Sequence, residues 1–188
     1  SSAASDVYKR QCVGCGRCCS EPVVPVTDAD VRRLVKKSGK SADEIVRFYD
    51  ITEIDFESDA DAWVRFAYGK RAMGLKKKKN RCQFLDDNKR CTVYEARPAT
   101  CRTFPLAIET NDAGTKLEDL SLNTIMKRKY PTGPKKTIKQ VLEDANREDI
   151  EDADYFERIE RWNKKGNHGG KMDFFCLLYT SDAADDCE

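Results

Sequence analysis

Cys12-Val13-Gly14-Cys15-Gly16-Arg17-Cys18-Cys19 sets four thiols within eight residues, in the order C-x-x-C-x-x-C-C. A C-x-x-C turn brings two sulfurs near enough to share one metal, and a further C-x-x step adds a third ligand. Gly14 and Gly16 suit a loop wrapped around an ion, because glycine accepts positive φ. Arg17 stands beside what would be an anionic cluster. Three more thiols follow at Cys82, Cys91 and Cys101. The expectation is that Cys12, Cys15, Cys18 and Cys19 close on Cys82, Cys91 and Cys101 around metal.

The spacing bears on which metal. Successive C-x-x-C steps with a distant fourth thiolate are the ligation pattern of bacterial [4Fe–4S] ferredoxins. Structural zinc usually shows two C-x-x-C knuckles, and here only the N-terminal end has that form. Sulfur ligands favour zinc, ferrous iron or an iron–sulfur cluster over hard cations. An iron or iron–sulfur centre is therefore the favoured cofactor and zinc the alternative. Two metals sharing bridging thiolates suit the same dispersion. Arg17, Arg81, Arg90, Arg97 and Arg102 each lie within a few residues of a thiol. Of these, Arg17, Arg97 and Arg102 are the expected hydrogen-bonding partners of the sulfurs. Disulfides fit less well: Cys18 and Cys19 are vicinal, the relevant count is odd, and no secretory segment is visible.

The chain has 188 residues, 36% charged and 39% hydrophobic, which suits one domain with a modest core. Its eight Phe, seven Tyr and two Trp are too many for a disordered chain. A formal net charge of +1 argues against a nucleic-acid or membrane-surface partner and leaves a protein partner open. No apolar run approaches the roughly 18 residues of a membrane span. The first residue is not Met, so the chain is expected to be a fragment or a processed form. A reducing compartment, the cytoplasm first, is the expected location, and an organellar leader ahead of Ser1 stays open. At the other end, residues 176–188 resemble the translation of a sequencing-library adapter. They are set aside as foreign, and Cys176 and Cys187 with them.

Between the thiol groups, Thr27 caps a helix whose Val31, Leu34 and Val35 form one apolar stripe, ended by Gly39. Ser41 and Glu44 make a capping box for a second helix, so 27–50 reads as a helical hairpin. Residues 62–68 alternate as a strand, 69–71 turn it, and 72–79 are its partner. Residues 81–85 and 90–94 flank a turn at 86–89 and read as a hairpin carrying Cys82 and Cys91. Cys101 follows Pro98 in a turn or helix start. Residues 116–122 read as a short strand, and 131–134 as a linker. Thr137 and Gln140 open a helix, and Tyr155, Phe156, Ile159 and Trp162 mark an amphipathic helix over 151–164. The four lysines at 76–79 read as a solvated strand end, and His168 as exposed coil. Neither a dinucleotide-binding glycine motif nor a metalloprotease histidine pair occurs.

Taken together, C-x-x-C-x-x-C-C, Cys82-Gln83-Phe84-Leu85, Cys91-Thr92-Val93-Tyr94, Arg97-Pro98 and Cys101-Arg102-Thr103-Phe104-Pro105 resemble the YkgJ-type cysteine-cluster family. The resemblance covers roughly residues 8–163 and implies chelation of zinc or iron. Some members carry the label flagellin lysine N-methylase, but no S-adenosylmethionine motif is visible here. The family pattern tends to carry an eighth cysteine beyond the Cys-Arg-x-Phe-Pro segment, where this chain has Asn123 and no thiol. That absence puts a full two-metal site in doubt.

The fold expected is α+β: one small metal-stapled domain, with a helical hairpin and C-terminal helices around short antiparallel strands. It would occupy residues 8–164, with 165–175 a flexible extension. Three functions follow: an iron or iron–sulfur protein, a structural zinc module that binds a partner, or a lysine methyltransferase-like enzyme.

Overall fold

A computed structural model describes residues 16, 19, 23–54, 56, 60–104, 106–108, 120–122, 137–166 and 169–179. Cys12, Cys15, Arg17, Cys18, Asn123, the 131–134 linker and His168 lie outside the described residues.

Helix α1 (Asp28–Ser38) starts where the sequence expects it. The Thr27 hydroxyl accepts from the Asp30 N–H, and the Asp30 carboxylate accepts from the Thr27 N–H, a reciprocal capping box. Gly39 ends the helix in the left-handed region at φ 70°. Ser41 and Glu44 cap α2 (Ala42–Ile45) in the same way. This second arm of the hairpin lasts one turn. Val46 to Tyr49 then run as strand β1, with Val46 and Tyr49 buried, so Phe48 and Tyr49 reach the core from a strand and not from a helix. The β-branched and aromatic residues here suit a pleated surface better than a second helical turn.

Strand β2 (Val64–Phe66) pairs antiparallel with β3 (Gly69–Leu75), which pairs on its other edge with β1. The turn falls at Ala67 and Tyr68, and Gly69 already belongs to β3, opposite Phe66. That places the reversal two residues earlier than the 69–71 turn read from the sequence. Past the end of β2, residues 24–26 continue along the same edge of β3. Leu75 N–H donates to Val24 O at 2.9 Å, and Val26 N–H to Met73 O at 3.2 Å. Pro25 bridges Gly74, an edge position where its missing N–H costs nothing.

Two short strands follow, β4 (Lys77–Lys78) and β5 (Arg81–Cys82), joined through Lys79 and Asn80 at φ 52° and 60°. Two left-handed residues in succession make the tight turn that matches hairpin twist. A 3₁₀ turn (Tyr94–Ala96) leads to α3 (Ala99–Thr103). Beyond it β6 (Leu106–Ile108) pairs antiparallel with β7 (Leu120–Leu122).

Helix α4 (Ile138–Lys164) is one continuous helix of 27 residues. The sequence suggests two segments because Glu148, Asp149 and Asp152 stand where the apolar stripe would continue from Ala145 to Tyr155. No Gly or Pro stands between the segments, so nothing breaks the backbone. Helix α5 (Lys171–Tyr179) lies within and beyond the stretch expected as a flexible extension. Its Phe174, Phe175 and Leu178 are buried.

The main core cluster is mixed, with Leu34, Ile45, Val64, Ile159 and Phe174 fully enclosed, and a smaller cluster gathers Tyr49, Ile54, Trp63 and Ala72. Phe48, Phe66, Trp162 and Phe174 pack at centroid distances of 5.0 to 6.1 Å, mostly edge to face. Helix α4 also closes the free edge of β2. Trp162 Nε1 donates to Arg65 O at 2.7 Å, and Asn163 both accepts from Arg65 N–H and donates to Trp63 O, each at 2.8 Å. The chain is thus a small α+β domain built from helices and short antiparallel sheets. Among the described residues no helix is long and apolar enough to cross a membrane.

Candidate metal centre

The described end of the early thiol loop sits on the central turns. Cys82 N–H donates to Cys19 O at 2.7 Å, joining the last thiol of the C-x-x-C-x-x-C-C stretch to the first thiol of the distal group. Gly16 rests on the next turn. It is buried, at φ 71°, and a Cβ there would lie 3.1 Å from Lys89 Cβ and 3.4 Å from a Leu85 methyl. Glycine at this position serves both the left-handed backbone and the close approach.

The turns beneath are tightly specified. Leu85 N–H donates to Cys82 O at 3.1 Å, so Cys82 opens a reverse turn. Leu85 bridges Cys91, and Thr92 N–H donates to Phe84 O at 2.8 Å. This is the expected hairpin in its shortest form, one bridge where the sequence suggests two strand arms. Asp86 closes it: its carbonyl accepts from Lys89 N–H, and its carboxylate from Arg90 N–H at 2.7 Å. Gln83 ties the assembly to α2, donating to Ile45 O at 2.7 Å and accepting from Lys40 Nζ at 3.2 Å. Cys82 and Cys91 are partly buried and pack on the core, which fixes their backbones from below.

Cys101 comes from α3, whose start is anchored across the molecule. Ala99 N–H donates to the buried Asp30 carboxylate at 2.9 Å. The same carboxylate group takes Thr27 N–H and, at 2.5 Å, Arg33. Arg102 braces the approach to α3, donating to Arg97 O at 3.0 Å and Glu95 O at 2.6 Å. Glu148 of α4 is hydrogen-bonded to Thr100 and Thr103, on either side of Cys101.

Burial is the main reason the carboxyls around this helix hold their protons more tightly than usual. It raises Asp30, Glu148 and, most of all, Asp152, which burial and the negative charges of Glu148 and Asp30 push up to about 7. Asp30, Asp152 and Thr100 line a cavity of about 270 Å³ with Val26, Thr27 and Met73. Sequence reading missed this acidic group and the Gln83 tether. Partners this far apart in the chain leave no local pattern.

Cys19, Cys82, Cys91 and Cys101 stand outside disulfides, whereas Cys176 is disulfide-bonded. Among the described residues no three thiol, imidazole or carboxylate side chains converge as a metal site. Cys12, Cys15 and Cys18, the other expected ligands, lie outside them. What is available suits a thiophilic ion: half-buried thiols on short, hydrogen-bonded turns, reached by a glycine-bearing loop.

Over 112 residues the chain is 30% identical to a protein of Methanocaldococcus jannaschii named "Uncharacterized protein MJ0661", covering 57% of this chain and 52% of that protein. The chain thus spans about half the length of this curated relative. No solved structure matches it. Residues 11–124, more than half of the chain and every expected thiol ligand, match the family named CxxCxxCC, described as "Putative zinc- or iron-chelating domain". The chain belongs to this CxxCxxCC family of zinc- or iron-chelating domains.

Proposed function

We propose that this protein binds iron, as an iron–sulfur cluster in the favoured case, through Cys12, Cys15, Cys18 and Cys19 together with Cys82, Cys91 and Cys101. One observation carries the reading: the 2.7 Å bond from Cys82 N–H to Cys19 O, which supports a meeting of the early and late thiols. Loaded with iron, such a centre supplies electron transfer or iron carriage. Loaded with zinc, it supplies a cross-link between the N-terminal loop and the 82–101 turns. Cys19, Cys82, Cys91 and Cys101 stand outside disulfides, which suits a reducing compartment.

Anaerobic purification, followed by visible absorption, metal analysis and acid-labile sulfide, tests the proposal. A brown protein containing iron and sulfide is the expected result. A colourless one holding zinc alone overturns the cluster and keeps the thiol site. Cys82→Ser and Cys101→Ser should each lower bound metal and melting temperature together. Unchanged metal content in both would refute the ligand assignment.

A further inference from the structure

Among the described residues only three that are not glycine hold positive φ: Lys79 at 52°, Asn80 at 60° and Lys89 at 61°. They lie in the two turns on either side of Cys82. Asparagine suits this left-handed region, whereas lysine takes it at a cost in backbone strain that glycine would avoid. Lys79 fills the first tip position of the β4–β5 turn. Lys89 closes the next turn, its N–H donating to Asp86 O at 3.0 Å. Left-handed hairpin positions favour Asn, Asp or Gly. Strain kept at an exposed turn calls for a use of the side chain. Lysines can simply blunt a strand edge, but these two lie in turns, outside any strand.

The two turns share one charged surface. Lys78 stands opposite Arg81 in the β4–β5 pair, and Arg81 reaches Asp87 in the second turn at 3.0 Å. Residues 76–90 hold seven Lys and Arg against two Asp, in a chain with 34 basic residues against 33 acidic ones, so the remainder is net negative. Both aspartates are engaged: Asp87 holds Arg81, and the Asp86 carboxylate accepts from Arg90 N–H at 2.7 Å. Lys78, Lys79, Lys89 and Arg90 are exposed and form no ion pair among the described residues. The surface adjoins two thiol residues in the chain, since Cys82 ends β5 and Cys91 follows Arg90.

An acidic protein and a nucleic acid would both be drawn to such a patch, and the protein fits better. The one aromatic residue within 76–90, Phe84, is buried, so a base finds no ring to stack on. A long phosphate backbone running past these turns would meet a net negative chain. We propose that the turns at 78–81 and 86–90 form a cationic docking surface for an acidic protein partner, with Lys79 and Lys89 at its two tips. Opposite charge there steers the encounter and sets its orientation. None of these cations is an expected metal ligand, so the surface is independent of the centre beside it.

The test uses the full chain with two fluorescein-labelled probes of equal charge, a polyglutamate peptide and an oligothymidylate, read by fluorescence anisotropy over a range of salt. Lys79→Gly with Lys89→Gly removes both tip charges and leaves the left-handed backbone at ease. Lys36→Gln with Lys37→Gln removes two exposed charges from the last turn of α1 as a control. The wild type should bind the peptide, more weakly as salt rises. The glycine pair should weaken binding about 3- to 30-fold at low salt, and the control by about twofold at most. The glycine pair should also melt no lower than the wild type. A wild type that does not bind polyglutamate overturns the proposal, as does a control that loses as much. An oligothymidylate bound more tightly than the peptide, and lost with the same glycine pair, transfers the surface to nucleic acid and overturns it too. A glycine pair that melts lower, or fails to fold, makes the two lysines structural and refutes their docking role.

Discussion

Gly74 is the point where the segment leading out of the thiol loop crosses β3. A Cβ there would stand 2.7 Å from Val23 Cγ1, 3.1 Å from Val24 O and 3.2 Å from the Tyr49 ring. The valine side chain can rotate away, but the carbonyl is held by its bond to Leu75 N–H. Gly74→Ala is therefore expected to push residues 23–25 off the sheet and cost about 1–3 kcal/mol. Chemical denaturation checks the cost. A variant as stable as the parent would mean that the 23–25 segment does not need this close approach. Asp152 makes a different residue-scale case. Its carboxyl is raised from 3.8 to about 7, chiefly by burial. Below about pH 4 the folded and unfolded states both hold the proton. Between about pH 4 and 7 the folded chain retains a proton that the unfolded chain has shed, so this group's contribution to stability falls as pH rises through that window. Asp152→Asn removes the charge at nearly constant shape. It should stabilise the protein by roughly 1–3 kcal/mol at pH 8, with the gain shrinking toward pH 4. Urea midpoints at the two pH values decide it, and a gain equal at both would rule out the ionisation account.

At the scale of elements, α3 is too short to hold Cys101 in place by itself. Five residues cannot form a stable isolated helix, so its position comes from its tethers. Asp30 is the principal one, reaching from the first turn of α1 to Ala99 N–H. Asp30→Ala would leave two backbone N–H groups and part of the Arg33 guanidinium without their acceptor. A loss of about 3 kcal/mol is expected. The metal-free variant should also alkylate Cys101 faster than the parent under native conditions. An unchanged Cys101 rate would show that α4, through Glu148, suffices to hold the helix. The same elements show what was legible in the sequence. Thr27, Ser41 and Thr137 announce their helix starts because a capping box is complete within four residues. The continuity of α4 was hidden by Glu148, Asp149 and Asp152, which break the apolar stripe between Ala145 and Tyr155. The switch from α2 to β1 was hidden because Val46, Phe48 and Tyr49 read equally well as an apolar helix face. Only pairing with β3 selects the strand. The bond from Asp30 to Ala99 and that from Gln83 to Ile45 had no sequence signature at all.

For the whole molecule, the decisive feature is how the two thiol groups lie relative to the core. Cys82 and Cys91 pack on the same cluster that α1, β3 and α4 enclose. The late thiols are therefore held by ordinary packing whether or not metal is present. The described part of the early loop meets them through the Cys19 carbonyl on Cys82 N–H and through Gly16 against Leu85 and Lys89. Metal is expected to tighten that junction more than the fold beneath it. Ligand linkage gives the scale: metal in hundredfold excess over its dissociation constant adds about 2.7 kcal/mol to stability. Stripping it should lower the melting temperature by about 5–11 °C, yet leave a cooperative transition and an intact helical signal. Hydrogen exchange should localise the loss to residues 12–19 and 81–91, with β1, β3 and the core face of α4 keeping their protection. A metal-free protein that lost its helices and its cooperative melt would reverse this order of dependence. The hydrophobic core would then be a consequence of the centre, as in a zinc finger, and not the platform on which it is assembled.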